Sequence, residues 1–137
     1  MAGIYIHIPF CKTRCIYCGF YSTTYNDIQS RYVDAVLKEL ELRSDYINEP
    51  IETIYLGGGT PSQLHFDLIE QLISNLTSRA DVARHCKEIT IECNPDDVND
   101  ELAALFHRLG VNRISMGVQT FSDERLRFIR RRHTAEQ

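Results

Sequence analysis

Three of the five cysteines fall within eight residues, in Cys11-Lys12-Thr13-Arg14-Cys15-Ile16-Tyr17-Cys18. Thiolates this close together can converge on one soft metal centre. Two centres suit the spacing. Structural zinc takes four ligands, usually as two separated pairs, and only three thiols are clustered here. A 4Fe–4S cube on three cysteines leaves one iron without a protein ligand, free to bind a substrate-like molecule. The spacing favours the cube, with zinc as the alternative.

Other residues suit a ligand beside such a centre. Gly57-Gly58-Gly59-Thr60-Pro61-Ser62 is a turn whose backbone can approach a ligand closely and present its polar groups. It is not a phosphate loop, because no Gly-Lys-Ser/Thr follows; a plain tight turn is the other reading. Glu92, just before Asn94-Pro95, supplies a carboxylate that can pair with the ammonium of an amino-acid cofactor, or simply sit solvated at a rim. Gln119 carries an amide that can bond a ribose. Arg130-Arg131-Arg132-His133 reads as a basic last helical turn, favoured by the helix dipole. Cys86 and Cys93 read as free thiols, Cys93 packing as a small apolar residue.

These residues need elements to place them. Four β-branched runs, Ile4 to Ile8, Thr53 to Leu56, Glu88 to Cys93 and Arg113 to Val118, alternate with amphipathic stretches. Ile28, Tyr32, Val33, Val36, Leu37 and Leu40 make the first helical stripe, with Asn26 or Asp27 as its cap. Leu68, Ile69, Leu72, Ile73 and Leu76 follow Ser62 as the second. The third starts near Asn99 or Asp100, repeats Leu102, Leu105, Phe106 and Leu109, and stops at Gly110. The fourth begins at Ser122, with Asp123 and Glu124 in its first turn.

Strand and helix alternating in this way predict an α/β fold with a parallel sheet. Parity then selects the architecture. Ile4, Ile6 and Ile8 alternate with Tyr5 and His7, and Ile89, Ile91 and Cys93 alternate with Thr90 and Glu92. Ile54 and Leu56 alternate with Thr53 and Tyr55, and Ile114, Met116 and Val118 with Ser115, Gly117 and Gln119. A doubly wound sheet is apolar on both faces; here each strand has one apolar and one mixed face. That predicts a partial (β/α) barrel, about four parallel strands with helices outside and a ligand inside, the thiol loop lying at the carboxyl end of the first strand.

The 137 residues suffice for one compact domain. A net charge of −4 gives no reason to expect nucleic acid as a partner. No apolar run approaches the roughly 20 residues of a membrane span. No secretory leader is visible, and clustered thiols suit a reducing compartment, so a cytoplasmic protein is expected.

Tyr5-Ile6-His7-Ile8-Pro9-Phe10-Cys11, the C-x3-C-x2-C loop, the Gly57–Ser62 run, Ile91-Glu92-Cys93-Asn94-Pro95 and Asn112–Phe121 occur in that order. Together they resemble the oxygen-independent coproporphyrinogen III oxidase-like family of radical S-adenosylmethionine (SAM) proteins. The resemblance covers essentially the whole chain, read as the N-terminal part, residues 1–137, of a radical SAM core domain. It implies that Cys11, Cys15 and Cys18 hold three irons of a 4Fe–4S cluster and that SAM chelates the fourth. It implies that Tyr5 and Tyr17 border the cluster, that Gly58, Gly59 and Thr60 line the SAM amino-acid part, and that Glu92, Gln119 and Arg131 contact SAM. Family members cleave SAM reductively to methionine and a 5′-deoxyadenosyl radical, with electrons from a donor such as a flavodoxin.

Two departures bear on function. The oxidases carry a further cysteine two residues after the third cluster ligand, where this chain has Phe20. Tyr17-Cys18-Gly19-Phe20 instead resembles the HemW-type haem chaperones, which bind haem and hand it on, although position 19 is commonly acidic or Asn in that branch. The resemblance therefore implies a haem chaperone of haem metabolism, with an oxidase that decarboxylates porphyrinogen propionates, or a non-enzymatic metal-binding module, as alternatives. A complete barrel needs about 250 residues, so the chain reads as truncated and inactive alone, with open strand edges that favour self-association.

Overall fold

The computed structural model describes residues 2–137, and of Ala80 and Asp81 the backbone alone. Four strands form the sheet: β1 (Ala2–Ile8), β2 (Ile51–Gly58), β3 (Glu88–Cys93) and β4 (Arg113–Met116). They pair in the order β1-β2-β3-β4, all parallel. Register sets Ile6 against Leu56, Leu56 against Ile91, and Ile91 against Ile114, so the apolar positions fall on one face. Helices α1 (Gln29–Leu42), α2 (Phe66–Thr77), α3 (Ala80–Ala83), α4 (Asp100–Arg108) and α5 (Asp123–Phe128) complete the fold.

The apolar strand face and the helical stripes make one core. Ile6, Ile8, Ile54, Leu56, Ile89, Ile91 and Cys93 pack with Val33 of α1, with Leu68, Ile69, Leu72, Ile73 and Leu76 of α2, and with Leu102, Leu105 and Phe106 of α4. The opposite face carries the polar alternates. Tyr5 and Tyr55 stack there with ring centroids 6.0 Å apart, and Tyr55 reaches Glu92 on the next strand. Thr90 of that face is nevertheless fully buried, its hydroxyl donating to Glu88 Oε1 at 2.9 Å.

Local signals succeed and fail for identifiable reasons. Asn99 caps α4, its Oδ1 accepting from Leu102 N at 2.8 Å, and Gly110 ends the helix at φ +76°. The expected caps of α1 are not used: the helix starts after Ile28 without a side-chain cap. Asn26 Oδ1 instead accepts from Gln29 Nε2. Gln29, 3% exposed, in turn bonds Gln63 O at 3.0 Å and His65 N at 3.1 Å. A side chain of α1 thereby serves the start of α2. The helix expected after Ser62 is divided: a single 3-10 turn covers Pro61–Gln63, and α2 begins at Phe66.

Two expectations at the C-terminal end are corrected. β4 stops at Met116 rather than Val118, because the chain turns off the sheet and Gln119 takes a left-handed φ of +65°. α5 stops at Phe128, so Arg130–His133 is not a helical turn. Arg130 reverses the chain at φ +59°. Leu126 of α5 is buried outside the main core. The apolar face of β4 is left partly open, with Ile114 44% and Met116 41% exposed. Among the described residues, no helix is long and apolar enough to cross a membrane.

Candidate cofactor cavity at the carboxyl ends of the strands

The thiol loop leaves β1 and is closed at its base. Cys11 N donates to Thr23 O at 3.0 Å and Thr23 N to Pro9 O at 2.7 Å, so the chain between them projects as one loop. The glycine turn lies directly against this base. Gly59 N donates to Ile8 O at 2.8 Å, and a Cβ on Gly59 would come within 2.8 Å of the Pro9 backbone. Gly58 has φ +118°, and a Cβ there would meet the His7 ring at 2.7 Å. Both glycines are needed for that approach.

Loop and turn enclose a cavity of about 250 Å³, lined by Cys11, Cys15, Cys18, Tyr17, Phe20, Gly58, Gly59, Thr60, Glu92, Gln119 and Arg131. Ten of the eleven residues singled out in the sequence therefore meet at one place; the exception is Tyr5. It stands off the cavity on β1, stacked on Tyr55, with its hydroxyl 3.1 Å from His7 Nδ1. Among the described residues, no three His, Cys, Asp or Glu side chains converge tightly enough to hold one metal ion. The three thiols all line the cavity. A zinc ion needs its sulfurs at about 2.3 Å from one point, whereas a cube takes one thiolate at each of three corners.

Glu92 is held before any ligand arrives. Tyr55 Oη donates to its Oε1 at 2.7 Å, and Gly58 N donates to Oε2 at 3.0 Å. The hydrogen bond to Glu92, then burial, raise the Tyr55 phenol above its ordinary value. Tyr5 is raised by burial and then by the Glu92 charge. Tyr17 is raised as well, first by burial and next by charge at Cys15. Across the cavity, Arg131 donates to Gly117 O and points Nη1 at Cys15 Sγ, 3.7 Å away. Its Nε is buried without a hydrogen-bond partner. An orphaned guanidinium donor at a cavity wall calls for an acceptor such as a ligand carboxylate.

Several contributors were missed. Asn94, Ser115, Met116, Gly117 and Arg132 also line the cavity, and Asn94 Nδ2 donates to Thr60 Oγ1 at 3.5 Å. Tyr55 could have been found from parity, since it shares a face with Tyr5 and Glu92. Asp97, described further below, gave no signal: in Asp96-Asp97 it looks like an ordinary solvated loop carboxylate. Cys93, read as a packed thiol, is buried and free; burial first, and the Asp97 charge next, push it up to about 12.

The same fold occurs in known proteins. The radical SAM superfamily matches residues 5–137. The chain is 39% identical to the haem chaperone HemW of Bacillus subtilis, over 97% of this chain and 36% of that protein. It is 38% identical to anaerobilin synthase of Escherichia coli O157:H7, over 88% of this chain and 28% of that one. The solved structure of the coproporphyrinogen III oxidase HemN from Escherichia coli, described as a radical SAM enzyme, superposes with a TM-score of 0.82. There the identity is 32%, over 96% of this chain and 31% of that structure. The four strands are thus a partial (β/α) barrel, as parity indicated. The chain spans about a third of the length of these relatives.

Proposed function

Since the chain belongs to the radical SAM superfamily, we propose that its cavity holds a 4Fe–4S cluster on Cys11, Cys15 and Cys18 with SAM beside it. We propose further that the whole protein is a haem chaperone. The observation that carries the cofactor reading is the meeting of three thiols, a carboxylate and a guanidinium with an unpaired donor around one cavity. The donor set fits the two groups. Thiolates suit iron, and three of them with no fourth beside them suit a cube that keeps one iron open. When bound, such a cluster supplies the electron that opens SAM at its sulfonium.

The protein's own part is binding and orientation. Glu92, fixed by Tyr55 and Gly58, is the acceptor for the SAM ammonium. Arg131 faces the SAM carboxylate, with its free Nε as donor. Gly58, Gly59 and Thr60 line the amino-acid part, and Gln119, turned inward by its left-handed backbone, bonds the ribose. Tyr17 walls the cluster on the loop side; Tyr5, off the cavity, acts through Tyr55 and Glu92.

Phe20 supports the chaperone over the oxidase. It stands at the cavity rim, 62% exposed, where the oxidases carry a further cysteine. The relatives named haem chaperone point the same way. The oxidase reading is kept by the HemN structure, and turnover of a porphyrinogen by the whole protein would decide for it. Haem or porphyrin, an electron donor such as a flavodoxin, a cytoplasmic location and self-association of this chain through its strand edges belong to the same proposal.

Anaerobic reconstitution tests the cluster directly. About four irons and four sulfides per chain are expected. Replacing Cys11, Cys15 and Cys18 together by Ala should abolish the brown chromophore. Iron binding that survives this triple replacement would overturn the assignment.

A further inference from the structure

Asp97 closes the 3-10 turn Pro95–Asp97 that follows β3, and it does not line the cavity. Its side chain is only 3% exposed. A carboxylate this buried is costly unless donors satisfy it. Here the donors come from three separate parts of the chain. Ser62 Oγ donates to Oδ2 at 2.7 Å, and Gln63 Nε2 donates to Oδ1; both residues follow the glycine turn. Arg132 Nη2 lies 3.2 Å from Oδ1 and 3.0 Å from Asp96 Oδ2. Lys12 Nζ, one residue after Cys11, stands 3.6 Å from Oδ1.

The glycine turn, the arginine segment and the thiol loop are three walls of one cavity. A single carboxylate behind them is hydrogen-bonded to the first two and ion-paired with the third. The Arg132 bond bears on the site because this segment lies beyond α5 and is held by its side chains, Arg132 on the Asp97 side and His133, with Nε2 3.1 Å from Val118 O, on the other. Arg131 N donates to Leu126 O at 2.8 Å, which fixes the backbone on one side. Arg132, clamped by Asp97 and Asp96, fixes it on the other. Between these two anchors the Arg131 guanidinium is aimed at Cys15.

We propose that Asp97 is a positioning residue for the cofactor cavity. Through Arg132 it aims Arg131, and through Ser62 and Gln63 it sets the glycine turn, so that a zwitterionic amino-acid ligand finds its donors in place. Asp97 touches neither cluster nor SAM. The inference rests on the radical SAM reading and adds a residue to it.

The test uses the full chain, reconstituted anaerobically, as wild type, Asp97→Asn, Arg132→Gln and the double variant. Iron content, SAM affinity by equilibrium dialysis, and the electron paramagnetic resonance spectrum of the reduced cluster with and without SAM are measured for each. Both single variants should take up iron like the wild type and lose SAM affinity roughly 10- to 100-fold, the usual effect of removing an outer-shell partner. The spectral change on adding SAM should be weaker at concentrations that just saturate the wild type. The double variant should lose less than the product of the two single losses, since both changes break the Asp97–Arg132 tie. Arg132→Lys should recover part of the loss.

SAM affinity within twofold of wild type in both single variants overturns the proposal, as does a loss confined to the melting temperature. Should Asp97→Asn fail to fold, Arg132→Gln, at a partly exposed site, carries the test alone. A wild-type chain that takes up no iron, or shows no response to SAM, overturns the proposed cluster and SAM site and this inference with it. That outcome is seen before any variant is compared.

Discussion

At the scale of single residues, Glu92 is the group whose loss separates binding from folding. It accepts from Tyr55 and from Gly58 N. Glutamine keeps the shape, loses the charge, and turns an amide N–H toward one of those donors. For a half-buried carboxylate facing an ammonium, the cost to binding is about 3 kcal/mol, the low end for breaking a buried pair, or roughly a hundredfold in affinity. A SAM titration of Glu92→Gln should show this, with a smaller shift in urea midpoint; unchanged affinity would remove Glu92 from the site. Cys93 makes a separate prediction. Its native thiol is raised from 9.0 to about 12, so between those values the unfolded chain binds fewer protons than the native one. Stability must then fall as pH rises from about 9 toward 12, and Cys93 adds no pH dependence below that window. One group contributes at most about 1.4 kcal/mol per pH unit, and Tyr55 and Tyr5, also raised, act in the same direction from 10.0. Denaturant midpoints across this range should decline, and less steeply in Cys93→Ala. The cysteines and Glu92 were legible because spacing and strand parity are local properties; Gln119 lines the cavity from beyond the end of β4, on a left-handed backbone that parity does not foresee. Asp97 and Arg132 were not legible, because the partners that give them meaning lie 34 to 35 residues away in the chain.

At the scale of elements, two helix ends show why one boundary could be read and the other could not. After α4, Gly110 N donates to His107 O at 3.2 Å and Val111 N to Phe106 O at 3.0 Å. After α5, Arg130 N donates to Arg127 O at 3.1 Å and Arg131 N to Leu126 O at 2.8 Å. Both are the same paired closing motif, with the reversing residue in the left-handed region. Glycine announces that conformation; arginine does not, so the run Arg130–His133 looked like continuing helix. The strands were readable because alternation is strong, although β4 peeled away earlier than its apolar pattern indicated. The shared motif gives a two-sided prediction. Gly110→Ala should destabilise by about 1–2 kcal/mol through φ alone, since a Cβ there meets nothing within 4 Å. Arg130→Gly should shift the urea midpoint the other way, by a smaller amount because glycine also loosens the unfolded chain. A Gly110→Ala protein as stable as wild type would show that α4 can end without the left-handed residue.

At the scale of the whole molecule, the sheet formed by the described residues has β1 and β4 as its edges, each pairing there with one neighbour. Neither strand contains proline. Arg113 alone brings charge to β4, and its guanidinium is paired with Glu88 at 3.2 Å. Natural sheets cover or charge such edges because bare backbone groups recruit further strands. The half-exposed side chains of Ile114 and Met116 add an apolar strip beside the β4 edge. Two copies can satisfy both features around a two-fold axis. Like edges meeting across that axis would run antiparallel, whereas β1 of each copy against β4 of the other would keep the sheet parallel. We propose that these edges favour association; they do not set this register. Sedimentation at micromolar concentration should therefore show a dimer or larger species. Ile114→Lys places a charge on the apolar strip and, unlike Met116, Ile114 does not line the cavity; it should return the chain to monomer while the far-ultraviolet dichroism and iron uptake stay as in wild type. A dimer that persists in Ile114→Lys would move the interface away from β4. A wild-type chain that stays monomeric throughout the micromolar range would mean that the edges need no second copy.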